Sequence, residues 1–505
     1  MLLRENSIMN RAVYQAVLLL FLLVWTPLSS KSAPPSLEIS PQVTPIAVSG
    51  DYPESASAGS QIYLPLLFRL SGPGSLHQIP RINIPFFTDT ISFPEAAVHW
   101  LGFVRGVDNY ADIRVGYTQD ELAIRLSIFD RQAWYDTTPS TSTLTQWDAV
   151  SLYLDTSALS SSSPGPDSYQ FIGQLNWWEP RTDYQAAYRG GSSGWALEDI
   201  PFSTETTMRG ENWNNNSKTD RGWTITYRIP FSSLNSPAPP PSGTIWRMAV
   251  SVHDRDDAAG QAISPKLWPQ AIQPDLLATW GQIHFGLPSY SPPSYSNPNT
   301  FTIRNKLNGA VVSDADVGGG TVCGDGLDFW YQWGDTNYAG GTQVNIQNQS
   351  DVADWPCFSK FYVTFPLSSL PADKVVVSAT LKLHQFGNSY PAEAKASLIQ
   401  VLVVRKDWDE NNLTWNNAPS PVENVSRSWV KPLLALPPWP GIPIEWDVSA
   451  ATAQAYNRGL PLRLALYSAD AAYHSGKYLS SSDVGDWNQA GRPTLTVILG
   501  DPTFP

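Results

Sequence analysis

Aspartates and tryptophans stand side by side where the first half of this chain changes direction. Asp130 follows the alternating run Leu122-Ala123-Ile124-Arg125-Leu126-Ser127-Ile128 and is followed by Trp134 and Tyr135. Trp147-Asp148 opens the next apolar run, Trp177-Trp178 stands beside Glu179 and Arg181, and His253-Asp254-Arg255-Asp256 comes later. Carboxylate oxygens from Asp130, Asp148, Asp254 and Asp256 are hard ligands of the kind calcium takes. The same carboxylates can instead pair with Arg131 and Arg255. Trp134, Trp177 and Trp178 offer an indole either to a core or to the C–H face of a pyranose ring, whose hydroxyls keep their own partners. Trp100, Trp147, Trp223 and Trp246 lie in or beside strand-like runs and are expected to fill the core.

The second half carries another set. Asp314, Asp316, Asp325 and Asp328 lie among glycines and form a further candidate calcium site, with Asp314 and Asp316 its leading ligands. Cys323, Trp330, Tyr331 and Trp333 follow closely, and that aromatic density makes Trp330 and Trp333 candidate sugar contacts. Cys323 and Cys357 are the only two cysteines. In an exported chain they are expected to form a disulfide. Closing a loop of roughly 35 residues stabilises by about 3–4 kcal/mol in the chain-entropy model. An all-cysteine zinc site needs four thiolates and is excluded.

Catalytic signatures are missing. The sequence has no G-x-S-x-G elbow, no H-E-x-x-H and no phosphate-cradling glycine loop. Glycoside hydrolysis needs two facing carboxylates, which spacing along a chain does not reveal. No acidic pair stands out, and no catalytic activity is expected.

The elements that must hold these residues are strands. Hydrophobic residues make up 42% of the chain and charged ones 15%, with 21 Trp, 21 Tyr and 43 Pro against 4 Met. That balance favours sheets joined by turns. Period-two alternation marks Asp112 to Tyr117 and Leu122 to Ile128, split by the polar turn Thr118-Gln119-Asp120-Glu121. Further strands are predicted at Ala149 to Leu154, Tyr169 to Gly173, Gly222 to Ile229 and Trp246 to Val252. In the second half they fall at Lys360 to Phe365, Val375 to Leu383, Ser397 to Val404, Leu462 to Tyr467 and Thr494 to Leu499. One short helix is predicted over Ala450 to Arg458, capped by Ser449 and ended by Gly459.

At 505 residues the chain is too long for one ordinary core. Arg4 and Arg11, the apolar run Ala16 to Trp25 and the small residues Ser29 to Ala33 read as a cleavable export signal over 1–33. An uncleaved anchor is the alternative. A Pro/Ser-rich linker over 34–61 precedes a β-sandwich over 62–286. The stretch 287–300, with four prolines among serines, reads as an extended linker to a second sandwich or jelly roll over 301–500. The fold class is all-β. A net charge of −13 disfavours nucleic acid as a partner. No membrane insertion is expected once the signal is removed, so the mature chain should be secreted, extracellular or on the cell surface.

Two resemblances sharpen these expectations. The strings "DELAIRLSIFD", "WDAVSLYLD", "SVHDRD" and "TWGQIHFG" make the first unit similar to the family 9 carbohydrate-binding module and its DOMON-like relatives. That resemblance implies a sugar clasped between aromatic side chains at a loop end, and structural calcium. Trp134 with Trp177 or Trp178 hold comparable loop positions. The family's Asp-Gly-x-x-x-Asp-x-x-Trp opening is absent, and Glu95 to Trp100 is only a loose counterpart. In the second unit, "DWDENNLTWNNAP" sets Trp408, Glu410, Thr414, Trp415, Asn416 and Pro419 in an array. With "VSATLKLH", "WDVSAATAQAYNRG" and "RPTLTVIL" it resembles the DNRLRE-type domain, similar to the family 96 carbohydrate-binding module. That resemblance implies a jelly roll of exported bacterial proteins, some of which bind acidic polysaccharide. Trp408, Glu410, Thr414, Trp415 and Pro419 are expected to build the fold, with Glu410 accepting backbone N–H bonds. The expected function is non-catalytic binding of polysaccharide or oligosaccharide by aromatic stacking. The alternatives are a structural or adhesive surface protein without a sugar site, and a polysaccharide-degrading enzyme.

Overall fold

The structure is a computed structural model that describes residues 79–503, other than 158, 160, 211–212, 237, 260–261, 320–325, 350–356 and 471–473. The expected signal, the 34–61 linker, Cys323 and Asp325 lie outside the described residues. Among the described residues no helix is long and apolar enough to cross a membrane.

The fold is all-β, as composition and alternation require. A five-stranded sheet of Ala97–Arg105, Asp108–Tyr117, Glu121–Phe129, Trp223–Pro230 and Ser203–Met208 covers one face of the first half. A six-stranded sheet that includes Tyr295–Arg304, Thr494–Pro502, Val375–Asn388 and Ile442–Asp447 covers one face of the second. Between them runs a 13-stranded sheet shared by both halves. Its two parts meet where Arg81–Ile84 lies parallel to both Gly281–Phe285 and Pro421–Val430. An amide clip fastens that seam: Asn83 N–H donates to Asn424 Oδ1 at 2.8 Å, and Asn424 Nδ2 donates to the Asn83 carbonyl at 2.8 Å.

Each sandwich has its own core. Ile113, Val115, Leu122, Ile124, Leu126 and Ile128 point into the first. Phe361, Val363, Phe365, Val401, Leu464 and Leu466 point into the second. The opposite faces of those strands are also covered. Tyr362, Leu402, Val404, Ala465 and Tyr467 meet Val98, Trp100, Tyr110 and Phe129 of the first half in a third apolar cluster. Strands buried on both faces read as unbroken apolar runs, which is why Ser397–Val404 contains only one strongly polar residue, Gln400. That Gln400 bridges the halves, donating from Nε2 to the Ala96 carbonyl at 2.7 Å.

Two expectations change here. The second part of the expected linker is a strand, Tyr295–Arg304, paired antiparallel with Thr494–Pro502. The helix spans Ser449–Asn457, so Ser449 is its first residue; Asp447 Oδ1 accepts the Ser449 N–H at 2.9 Å, and Ser449 Oγ accepts the Ala379 N–H instead. Gly459 ends the turn with φ +65°. Asp112 and Arg114, which alternation alone would turn to water, are fully buried between the halves.

That inter-sandwich core is polar at its centre. The Lys360 ammonium is enclosed by the rings of Trp415, Trp100, Tyr110 and Tyr467, at 3.5, 4.2, 4.6 and 4.9 Å from their centroids. It donates to the Tyr110 hydroxyl at 2.7 Å, which donates in turn to Asp112 Oδ1 at 2.7 Å. Asn348 and Tyr467 donate to Asp112 Oδ2 at 2.8 and 3.1 Å. Burial pulls the Lys360 ammonium well below the usual lysine range, and the charge of Asp112 opposes that pull.

Candidate functional site: an aromatic platform beside a carboxylate cluster

Four loops emerge from one end of the first sandwich, because Phe129, Gln174, Met208 and Asp254 all end strands there and Ala149 and Trp223 begin strands there. Trp177 and Trp178 follow Leu175-Asn176. Asn176 Oδ1 accepts the N–H groups of Trp178 and Glu179 at 3.0 and 2.9 Å, which turns the chain outward. Arg181 anchors the turn from below, donating to the Asn176 carbonyl at 2.6 Å, the Gln174 carbonyl at 3.0 Å and Thr204 Oγ1 at 2.8 Å. Burial pulls its guanidinium down to about 10.

Trp213 arrives from the loop before Trp223–Pro230. Asn214, at φ +52°, exchanges two hydrogen bonds with the Tyr135 backbone, of 2.8 and 3.1 Å. The result is a group of three indoles, with Trp177, Trp178 and Trp213 exposed by 37, 41 and 39%. Trp177 meets Trp178 at 4.1 Å and 87°, and Trp213 at 4.9 Å and 82°. Trp178 sits edge-on to Tyr135 at 5.0 Å and 90°. These contacts fix the rings yet leave more than a third of each side chain open to water. Trp134 is half-buried below, its Nε1 donating to Asn216 Oδ1 at 2.8 Å.

Asn216 connects this platform to the carboxylates by donating to the Asp256 carbonyl at 2.7 Å. Asp130, Asp254 and Asp256 each bring one carboxylate oxygen within 4.8 Å of the others, the only such group of three or more among the described residues. Asp130 and Asp254 are buried, and Asp130 Oδ2 and Asp254 Oδ1 have no hydrogen-bond partner. Burial first, then mutual repulsion, raises Asp130 well above the usual carboxylate range. Burial, then Asp256, pushes Asp254 up to about 7. Three converging carboxylate oxygens, from residues two of which are buried and each keep an unpartnered oxygen, fit a hard divalent cation. The expected Asp–Arg pairing is not formed by Arg255, whose guanidinium lies over Trp147 at 4.1 Å and donates to the carbonyls of Asp257 and Ala258. Asp148 holds loops, accepting the Trp134 and Arg255 N–H groups at 2.6 and 2.9 Å.

The second-half candidates land elsewhere. Trp330 and Trp333 are buried, with Trp333 fully so, and this corrects their reading as sugar contacts. Trp333 packs on Phe329 and Trp415, and its Nε1 donates to the Gly318 carbonyl at 3.1 Å. Phe329, Trp330 and Trp333 are core of the joint between the sandwiches. Among the described residues Asp314 and Asp316 join no group of three metal-ligating side chains, and Asp325, expected beside them, lies outside those residues: Asp314 Oδ2 accepts the Ser482 N–H at 2.7 Å, and Asp316 Oδ2 the Asn345 N–H at 3.4 Å. Cys357 is buried, while its expected partner Cys323 is outside the described residues.

The array from Trp408 to Pro419 does structural work. Trp415 packs against Lys360, Trp408 lies 6.2 Å from Tyr362, and the Pro419 carbonyl accepts the Tyr362 hydroxyl at 3.1 Å. Thr414 Oγ1 accepts the Asn417 N–H at 3.3 Å. Glu410 accepts the backbone N–H groups of Gly340 and Asp314, while burial and Asp483 push its carboxyl up to about 7. Asn416 crosses to the first half, accepting the Val104 N–H at 2.8 Å. The groove of about 340 Å³ lined by Pro85, Gln400, Asn424 and Arg427 has no aromatic wall.

Residues 331–482 match the family model described as carbohydrate-binding module family 96. The match spans the Trp408–Pro419 array and ends just before Asp483. No curated protein matches the chain. Among solved structures, a family 9 carbohydrate-binding module from Caldicellulosiruptor kristjanssonii in complex with cellotriose is 15% identical, with a TM-score of 0.30, over 41% of this chain and 95% of that one. A family 9 module from the same organism in complex with glucose is 15% identical, with a TM-score of 0.29, over 42% of this chain and 98% of that one. At these scores the likeness carries no functional argument.

Trp213 was not singled out by sequence reasoning. Its signal was there: a lone indole in the polar string Glu211-Asn212-Trp213-Asn214-Asn215-Asn216, where no strand pattern asks for a core residue.

Proposed function

We propose that this chain is an exported, non-catalytic carbohydrate-binding protein that holds polysaccharide on the Trp177–Trp178–Trp213 platform. One observation carries the reading: three indoles clamped by Asn176, Arg181 and Asn214 stand partly wet at a loop end. Their rings offer the apolar face a pyranose needs, and Glu179 beside them is exposed and able to accept hydroxyl hydrogen bonds. The match of the second half to a carbohydrate-binding family supports the same class of ligand.

Calcium is the proposed cofactor, held by Asp130, Asp254 and Asp256. When bound, it supplies positive charge that keeps the three carboxylates ionised and fixes the loops that carry them. Asn216 then passes that order to Trp134. Export by the 1–33 segment and a Cys323–Cys357 disulfide belong to the same reading, since both suit an oxidising space outside the cell.

Native gels cast with cellulose derivative, xylan, galactomannan or alginate test it. The wild-type chain is expected to be retarded by at least one, and Trp177→Ala/Trp178→Ala to lose most of that retardation. Equal migration of the two proteins in every gel would remove this site from consideration.

A further inference from the structure

The most exposed tryptophans of the described chain lie far along the sequence from the platform. Trp439 and Trp487 are exposed by 54 and 65%, against 37–41% for the indoles already described. Their rings meet at 4.8 Å and 83°, forming an open corner, and Phe386 closes its base at 5.6 Å from Trp439. Trp487 is folded back over Gly485, where a Cβ would come within 2.7 Å of the indole. Trp439 sits in a stretch, Pro432–Ile444, that no polar side chain interrupts.

The corner borders the outer face of the six-stranded sheet. Leu381, Leu383, Leu495, Val497 and Ile303 face the core. Their neighbours point to the opposite face by the period-two rule, where Thr494 is itself buried and donates to the Arg492 carbonyl at 2.9 Å. Strand register then aligns Arg304 with Thr494, Thr494 with Lys382, and Lys382 with Glu445 in one cross-strand row. Lys382 and Glu445 are ion-paired at 2.8 Å. Beside Trp487, Asp486 is held by Arg492 at 2.6 Å and Lys306 at 3.4 Å.

We infer that Trp439, Trp487 and the Lys382–Glu445 row form a second glycan-binding surface, in which one pyranose ring lies in the indole corner and a further ring of the same polymer meets the ion-paired row. This rests on the reading of the chain as a carbohydrate binder and adds a site on the other half. The pairing of apolar rings with a fixed row of donors and acceptors selects the occupant. A chain of polyhydroxylated rings satisfies both, whereas an apolar peptide or a lipid tail would desolvate Lys382 and Glu445 without replacing their water. Two sites on one rigid body would engage one polymer with avidity.

The test uses the full chain in native gels cast with hydroxyethyl cellulose, xylan, galactomannan or alginate. It compares wild type, Trp177→Ala/Trp178→Ala, Trp439→Ala/Trp487→Ala and the combined variant, with unchanged circular dichroism and melting required of each. Leu434→Ser/Leu436→Ser is the control, since these side chains are exposed on the Trp439 loop outside the proposed contact. The inference expects Trp439→Ala/Trp487→Ala to weaken binding at least fivefold on one polysaccharide, and the combined variant to bind less than either pair alone. The leucine control should bind as wild type does. Wild-type binding by Trp439→Ala/Trp487→Ala overturns this site while leaving the Trp177 platform standing. Equal loss in the leucine control overturns it in favour of apolar adhesion. A wild-type chain retarded by none of the four polysaccharides overturns both sites together.

Discussion

Two regions of this molecule are rich in aromatic rings and do opposite things. Around Lys360, the rings of Trp100, Tyr110, Trp415 and Tyr467 close on a buried cation and weld two sandwiches together. At the loop end, Trp177, Trp178 and Trp213 pack edge to face and stay wet. What separates them is what lies on the far side of each ring. In the first case a second sheet supplies atoms and excludes water. In the second, polar clamps and the Tyr135 ring stand behind the indoles, and more than a third of each side chain stays exposed.

The sharpest way to break the comparison is to cut each region at one residue. Asp112→Ala leaves Arg114 and Lys360 buried without their carboxylate, and removal of one member of a buried charge group costs about 3–5 kcal/mol. Urea unfolding should show that loss. A change under about 1 kcal/mol would mean the joint is not held as described. Trp333→Ala should cost about 3–5 kcal/mol as a core truncation, with glycan affinity of the folded fraction unchanged. Trp177→Ala should do the reverse: about 30-fold weaker binding, equivalent to about 2 kcal/mol for an aromatic anchor, with the melting temperature unmoved. If Trp333→Ala weakened binding while leaving stability intact, the assignment of wet and dry rings would be inverted.

The carboxylate cluster sharpens the contrast through pH. Asp254 is pushed up to about 7 in the fold, above the roughly 3.9 of an unfolded aspartate. Between those values the native state holds more protons than the unfolded one, so the cluster's contribution to stability falls as pH rises through that window. Chelator-treated protein should therefore melt higher at pH 5 than at pH 8. Calcium should raise melting most at pH 8, where no proton has to leave. Asp254→Asn should flatten both trends. The smallest effect is expected from Asn214→Ala, which removes two bonds to Tyr135 and places alanine at φ +52°. It should weaken binding a few-fold by loosening Trp213, as titration would show.

How much of this was legible beforehand follows from what alternation encodes. Strand positions such as Lys360–Phe365 and Ser397–Val404 were readable because period two and apolar runs report burial directly. The partner on the far side of a strand is not encoded in that pattern. Asp112 and Arg114 carry the same signal whether they face water or a second sandwich. For the same reason Trp330 and Trp333 looked like a sugar-contact loop, when both rings fill the joint. Asp130, Asp254 and Asp256 were found because each sits at or just past a strand end, and strand ends of one sandwich edge converge. Asp314 and Asp316 lie two apart on one strand, and their carboxylates accept from the backbone of different segments, at Ser482 and Asn345. Trp439 and Trp487 gave no strong local motif, since the corner forms only when the Pro-rich loop meets the turn after Gly485.

Oxidative footprinting of tryptophans, read by mass spectrometry with and without a polysaccharide that retards the chain, tests the central claim most directly. Trp177, Trp178 and Trp213 should react in the free protein and become protected when the glycan is bound, while Trp333 and Trp415 stay unreactive in both states. Unchanged reactivity of all three loop-end indoles under saturating glycan would contradict the account.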